Sequence, residues 1–183
     1  MYSAILNKIY SSFVTFSMFL LSGYVGNNVK IENMNVTIDN EKLIISGALI
    51  SAFHNDFDEL FSTGLRITTV YEIVVSSNKK RLYQKIFTQS VYWDPHYCQW
   101  IVLYEESPFE SMICDYSEMI HIFSLFKTNI YLDIYEYDNV DVRVSARMQN
   151  LYIPSQGKDL DLMLLWKKKI PEGRINVQTK EFR

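Results

Sequence analysis

Residues 140–149 read Val140-Asp141-Val142-Arg143-Val144-Ser145-Ala146-Arg147-Met148-Gln149. Apolar and polar side chains alternate without a break. Successive side chains of a strand point to opposite faces, so this is a strand with a dry face and a wet one. Sheets wet on one side are typically antiparallel. The segment therefore sets the expected fold class: mainly β.

Working outward, the flanks repeat that pattern less cleanly. Upstream, Ile130, Leu132 and Ile134 alternate with Tyr131, Asp133 and Tyr135, predicting another strand. Before it, Asp115 with Glu118 three residues later forms a capping-box signature, predicting a helix to Lys127. Its apolar stripe is Met119, Ile120, Phe123 and Phe126, with Tyr116 at its start. Downstream, Leu160–Ile170 is expected as a strand, followed by a turn at Pro171-Glu172-Gly173 and a tail strand over Arg174–Phe182.

The first half predicts a hairpin of Val29–Ile38 and Leu43–Ile50 around Asp39-Asn40, with a bulge where alternation slips near Asn33. A short helix follows, carrying Phe53, Phe57, Leu60 and Phe61 on one face. Asn55 can cap it, and Gly64 can end it. Leu65–Val75 is a strand, and Ser76 to Lys80 a polar loop. Tyr83–Trp93 and Tyr97–Tyr104 make an aromatic pair around Asp94-Pro95, where proline belongs in the turn. Another loop spans Glu105-Glu106-Ser107-Pro108, and Phe109–Cys114 is a short strand. Together these give an α+β chain dominated by β: about eight strands and two short helices. The expected architecture is an antiparallel sheet, sandwich or half-open barrel with the helices packed on one face or end.

Composition agrees. The 183 residues are 48% apolar and 21% charged, with Gly 6 and Pro 4, which excludes a disordered or linker-rich chain. Tyr 13 and Phe 11 favour strands. A formal charge of −3 gives no general attraction to nucleic acid, and none is expected as a partner.

Residues 1–23 differ from the rest. They contain no acid and one base, Lys8, and Ile9–Leu21 is apolar or hydroxylic. This predicts a signal peptide or an uncleaved N-terminal anchor, a possible membrane tether, ahead of one β-rich domain over 27–183. The run is short for a span and rich in Ser and Thr. Tyr24 stands where a lipoprotein box would place Cys, so no lipid attaches there. The expected location is exported: periplasmic or associated with the cell envelope.

Candidate chemistry is sparse. His96, Cys98, Cys114 and His121 could converge on zinc, which accepts Cys and His, but their spacing matches no common finger. In an oxidising compartment Cys98 and Cys114 could instead form a disulfide, or both could be buried free thiols. His54, Asp56, Asp58 and Glu59 gather at the first helix, where a solvated, dipole-favoured start is the simpler account. Asp133, Glu136, Asp138 and Asp141 cluster across an expected hairpin and read as a charged turn rather than a calcium loop. Lys167-Lys168-Lys169, Arg174, Lys180 and Arg183 make the end basic, as a phosphate or anionic-lipid contact would, and the simpler account is a solvated edge strand protected by lysine. Residues 91–100 pack aromatic rings that serve either as core or as a ligand wall. No phosphate loop, nucleophile elbow or zinc-protease helix is present. No catalytic, cofactor-binding or metal residue is assigned, and no cofactor is expected.

The order of several segments carries a resemblance. "LIISGALISAF" at 43–53 leads to "DELFSTGLRI" at 58–67 and "TTVYEIVV" at 68–75. "SVYWD", "QWIVLYEE", "EMIHIFSLF", "VRVSARMQNLYIP" and "LLWKKK" follow in turn. Over about residues 29–170 the chain resembles a bacterial exported family called domain of unknown function 4390. The resemblance implies a leading signal segment and brings no site residues. The expected function is non-catalytic: binding another envelope component through a sheet edge or aromatic face. The alternatives are a barrel-like carrier of a small apolar ligand or lipid, and a hydrolase.

Overall fold

The computed structural model describes residues 26–39, 42–54, 57–105, 110–133, 136–153 and 157–179. The expected signal or anchor at 1–23 lies outside them, as do Asn40, Asn55, Asp56, Glu106, the Ser107-Pro108 loop, Ile134, Lys180 and Arg183.

The described residues form eleven strands: β1 (Lys30–Asp39), β2 (Lys42–Ile50), β3 (Ile67–Ser77), β4 (Lys80–Asp94), β5 (Gln99–Tyr104), β6 (Glu110–Ile113), β7 (Leu125–Tyr131), β8 (Asn139–Met148), β9 (Leu151–Ile153), β10 (Lys158–Leu160) and β11 (Glu172–Gln178). Two short α-helices, α1 (Phe57–Ser62) and α2 (Tyr116–Ser124), and a 3-10 helix at Leu162–Trp166 complete them. Six strands in the order β11-β8-β3-β4-β5-β6 curl into a half-barrel, and β1-β2-β7 form a second sheet. Every pairing is antiparallel. The fold is mainly β with helices, as the alternation at 140–149 requires.

β8 sits between β3 and β11, with Val144 opposite Ile73 on one side and Gly173 on the other. Its Val140, Val142, Val144, Ala146 and Met148 are all buried. They join Leu43, Ile45 and Leu49 of β2 and Phe126 and Ile130 of β7 in one core. The slip near Asn33 is real: the β1–β2 register shifts between Glu32 and Asn35, and Asn33 has φ 54. Asp115 caps α2, its carboxylate accepting from the Glu118 N–H at 2.8 Å.

Five expectations need correction. The polar loop after β3 contracts to a two-residue turn, Asn78-Lys79, with φ 51 and 66 between the partners Ser77 and Lys80. Two positive φ values match the right-handed twist of the flanking strands. The second helix stops at Ser124, not Lys127, because pairing with β2 draws Leu125–Tyr131 into a strand. The segment joining β7 to β8 is consequently no hairpin, since the two strands belong to different sheets. Leu160–Ile170 is not one strand. Leu160 closes β10, and Asp161 then caps the 3-10 helix by accepting from the Met163 N–H at 2.9 Å. Lys167 and Lys168, at φ 53 and 56, end that helix rather than guard an edge strand.

At one end of the core an aromatic cluster fixes the helices. The Phe53 ring lies 5.3 Å from Phe57, 4.8 Å from Phe123 and 6.1 Å from Trp166. The Trp166 indole N–H donates to the Ala52 carbonyl at 2.9 Å. Asn27 is a buried anchor. Its amide donates to the carbonyls of Ala52 and His54, and its N–H to that of Leu165.

Candidate binding cleft

The seven residues of β7 close the three-stranded sheet on the side away from β2. Phe126, Thr128 and Ile130 point into the core, while Leu125, Lys127, Asn129 and Tyr131 are exposed. Leu125 is 42% and Tyr131 66% exposed, high for large apolar side chains in a sheet. The Lys85 ammonium, reaching across from β4, donates to the Asn129 carbonyl at 2.7 Å. That carbonyl therefore faces away from β2. By the alternation of antiparallel ladders, so do the backbone groups of Leu125, Lys127 and Tyr131.

Beside this edge runs a cleft of about 770 Å³. Its floor includes Gly47, Ala48 and Phe126, and Tyr104, Ser111 and Ile122 face them from β5, β6 and α2. Lys127 is the one charged residue in its lining among the described residues. Gly47 lets the Phe126 ring approach β2 closely. A Cβ at Gly47 would come within 2.6 Å of the ring. Behind Phe126, Tyr71 lies at 5.0 Å and is stacked on Phe87 at 4.9 Å.

Burial raises the Tyr71 phenol far above its ordinary pKa, and the nearby Tyr104 adds to this. Burial also raises Tyr104, against hydrogen bonds from Ser111 and Gln89 that lower it. Among the described residues the Tyr71 hydroxyl has no hydrogen-bond partner. Since an unsatisfied buried hydroxyl is a net cost, Tyr71→Phe is expected to stabilise the fold by about 1 kcal/mol. Urea unfolding checks this, and a loss of stability would mean that the hydroxyl is satisfied.

The residues singled out from sequence fall elsewhere and do not assemble. His96 and Cys98 occupy the turn between β4 and β5 rather than a strand, with Cys98 at φ 51. Cys98 and Cys114 are free and exposed, neither bridged nor buried. The Gln99 amide donates to the Cys114 sulfur at 3.3 Å. His121 lies on the exposed side of α2, and no group of three or more His, Cys, Asp or Glu gathers among the described residues. Asp58 accepts from the Tyr116 hydroxyl at 2.5 Å. Burial, then this contact, raises the Tyr116 phenol. Asp141 accepts from the Asn176 amide at 3.0 Å, across from β11. The aromatic hairpin divides its roles. Trp100 is buried edge-to-face on Trp93 at 4.9 Å, Tyr92 lies under the Arg66 guanidinium at 5.2 Å, and Tyr97 is exposed.

No protein-family model, curated protein or solved structure matches this chain. Among the described residues no helix is long and apolar enough to cross a membrane.

Proposed function

We propose that this chain is a non-catalytic, β-rich domain of the bacterial cell envelope that binds another envelope component by taking an extended segment of it as an extra strand along β7. The observation that carries the reading is the seven-residue edge bordered by the cleft. Strand addition draws its affinity from main-chain hydrogen bonds and its specificity from alternate side chains. The exposed series Leu125, Lys127, Asn129, Tyr131 favours a partner strand that is apolar, then acidic, then polar, then apolar. Lys127 supplies the charge that an acidic residue complements. The other edges suit this role less. β6 has four residues, and β1 and β11 lie against each other, where a Cβ on Gly173 would reach the Met34 sulfur at 2.4 Å.

Export rests on residues 1–23 and on the resemblance to the exported family, both part of this proposal. A carrier of an apolar ligand is supported less well. The interior that such a ligand would occupy holds Tyr71, Phe87, Phe123 and Phe126.

Two experiments test the reading. Labelled synthetic peptides carrying an apolar, an acidic, a polar and an apolar residue at successive alternate positions are expected to bind the full chain and to protect the Lys127 and Asn129 amides from exchange. Lys127→Pro removes an outward N–H, which an edge strand tolerates, and should abolish binding while the protein stays folded. Failure of the whole peptide set, or equal binding by Lys127→Pro, overturns strand addition. Cell fractionation with N-terminal sequencing tests the location, and intact Met1 protein free in the cytoplasm would remove the export reading.

A further inference from the structure

A second cleft, of about 600 Å³, lies on the outer face of the half-barrel, across β3, β8 and β11. Its charged lining is Lys79, Arg81, Arg143 and Arg174 against Glu72 and Asp141. The sequence carries a net −3, so this excess of cations is local and opposes the charge of the whole chain. Arg143 and Arg174 are direct cross-strand partners on β8 and β11. Like charges directly opposite each other destabilise a sheet, and here they stand side by side on the wet face.

An ion pair relieves this repulsion on the Arg174 side alone. Asp141 is engaged by the Asn176 amide. Glu72 is engaged by the Gln84 amide, whose carbonyl in turn takes Arg81 at 2.7 Å. Glu172 reaches Arg174 at 3.5 Å. Arg143 has neither hydrogen bond nor ion pair among the described residues. Across β3 its neighbour is the apolar Val74. A guanidinium offers a rigid planar fork of donors matched to tetrahedral and planar oxyanions. Two forks in adjacent register, one of them unengaged, form a two-sided clamp.

We propose that this cleft binds a phosphate group, with Arg143 and Arg174 as its direct ligands and Arg81 and Lys79 raising the local potential. The site is separate from the β7 cleft and does not depend on the strand-addition reading. A soluble phosphate and a phosphorylated lipid headgroup share the chemistry, and the experiment distinguishes them.

The test follows the arginine side-chain N–H signals of the full chain by NMR during titration with inorganic phosphate at fixed ionic strength. Saturable shifts at Arg143 and Arg174 are expected. The double variant Arg143→Gln/Arg174→Gln should bind roughly tenfold or more weakly, as loss of charge-assisted bonds requires. Its melting temperature should be unchanged or higher, because a repulsive pair is gone, whereas a purely structural role would lower it. Lys167→Gln, outside the cleft, should bind as the parent does. Co-sedimentation with phosphatidylglycerol vesicles that is lost in the double variant identifies a lipid headgroup. Saturable phosphate binding without arginine-dependent co-sedimentation identifies a soluble phosphate. Shifts that never saturate and that chloride reproduces, or a double variant that binds as the parent does, would overturn the proposal.

Discussion

Trp166→Ala is expected to lower the unfolding free energy by about 4 kcal/mol, the usual range for emptying a large buried aromatic site. Trp166 is fully buried, and its ring packs on Phe53, which in turn contacts Phe57, Phe61 and Phe123. Removing the indole opens a cavity beside Phe53, the ring that packs on both α-helices. It also deprives the Ala52 carbonyl of its shorter hydrogen bond, leaving the Asn27 amide at 3.3 Å. Trp166→Phe separates these contributions. It keeps most of the ring volume and should cost only about 1–2 kcal/mol, for the lost hydrogen bond and imperfect packing. Trp93 and Trp100 remain as fluorescent reporters for urea unfolding of both variants. Equal losses in the two would place the stability in the N–H rather than in the packing. A loss in the alanine variant below about 1 kcal/mol, as at a surface position, would mean that the 3-10 helix does not seal this end.

The region around Trp166 also shows where sequence reasoning stops. An unbroken apolar run such as Leu162–Trp166 has no period, and length and flanks alone separate a buried strand from a helical turn. The deciding contacts come from Asp161, which caps the turn, and from Ala52, which lies more than a hundred residues away. β8 was legible for the opposite reason. One of its faces is wet, so burial wrote a period of two into the chain. The bulge at Asn33 and the Asp115 cap were legible because both are local.

The candidate cleft was hidden by an ambiguity of spacing. Met119, Phe123 and Phe126 continue a helical stripe, yet Phe126, Thr128 and Ile130 alternate as a strand. The period changes at Leu125, where pairing of β7 with β2 overrides the helical pattern. β7 was thereby divided between an expected helix and an expected strand, and its edge could not be recognised. The opposing wall, Tyr104 and Ser111, comes from β5 and β6, and no local signal ties those strands to β7. The arginine pair was equally invisible. Arg143 reads as a charge on a wet strand face and Arg174 as part of the basic end until the β8–β11 register sets them opposite each other.

Gly47→Val is expected to cost about 3 kcal/mol, at the upper end for overpacking a closed site. Gly47 sits opposite Phe126 in the β2–β7 register. Even a single Cβ there would lie 2.6 and 2.9 Å from two ring carbons of Phe126 and 3.4 Å from the Glu32 carbonyl. The Phe126 ring cannot retreat freely, because Tyr71 packs tilted against it at 5.0 Å and is itself stacked on Phe87. Gly47→Ala should cost less, about 1–2 kcal/mol, since one methyl needs a smaller shift of the ring. Phe126→Leu gives the decisive comparison. Alone it leaves a partial void and destabilises. Combined with Gly47→Ala it gives the new methyl that space, so the double variant should be more stable than the sum of the single losses predicts, by about 1 kcal/mol. Simple additivity in urea unfolding would show that Gly47 is not there to seat the ring. The same cycle bears on binding, because Gly47 and Phe126 form the floor of the β7 cleft. A peptide strand laid along that floor would lose affinity in Gly47→Ala and recover it in the double variant, whereas a partner docked elsewhere would respond to neither.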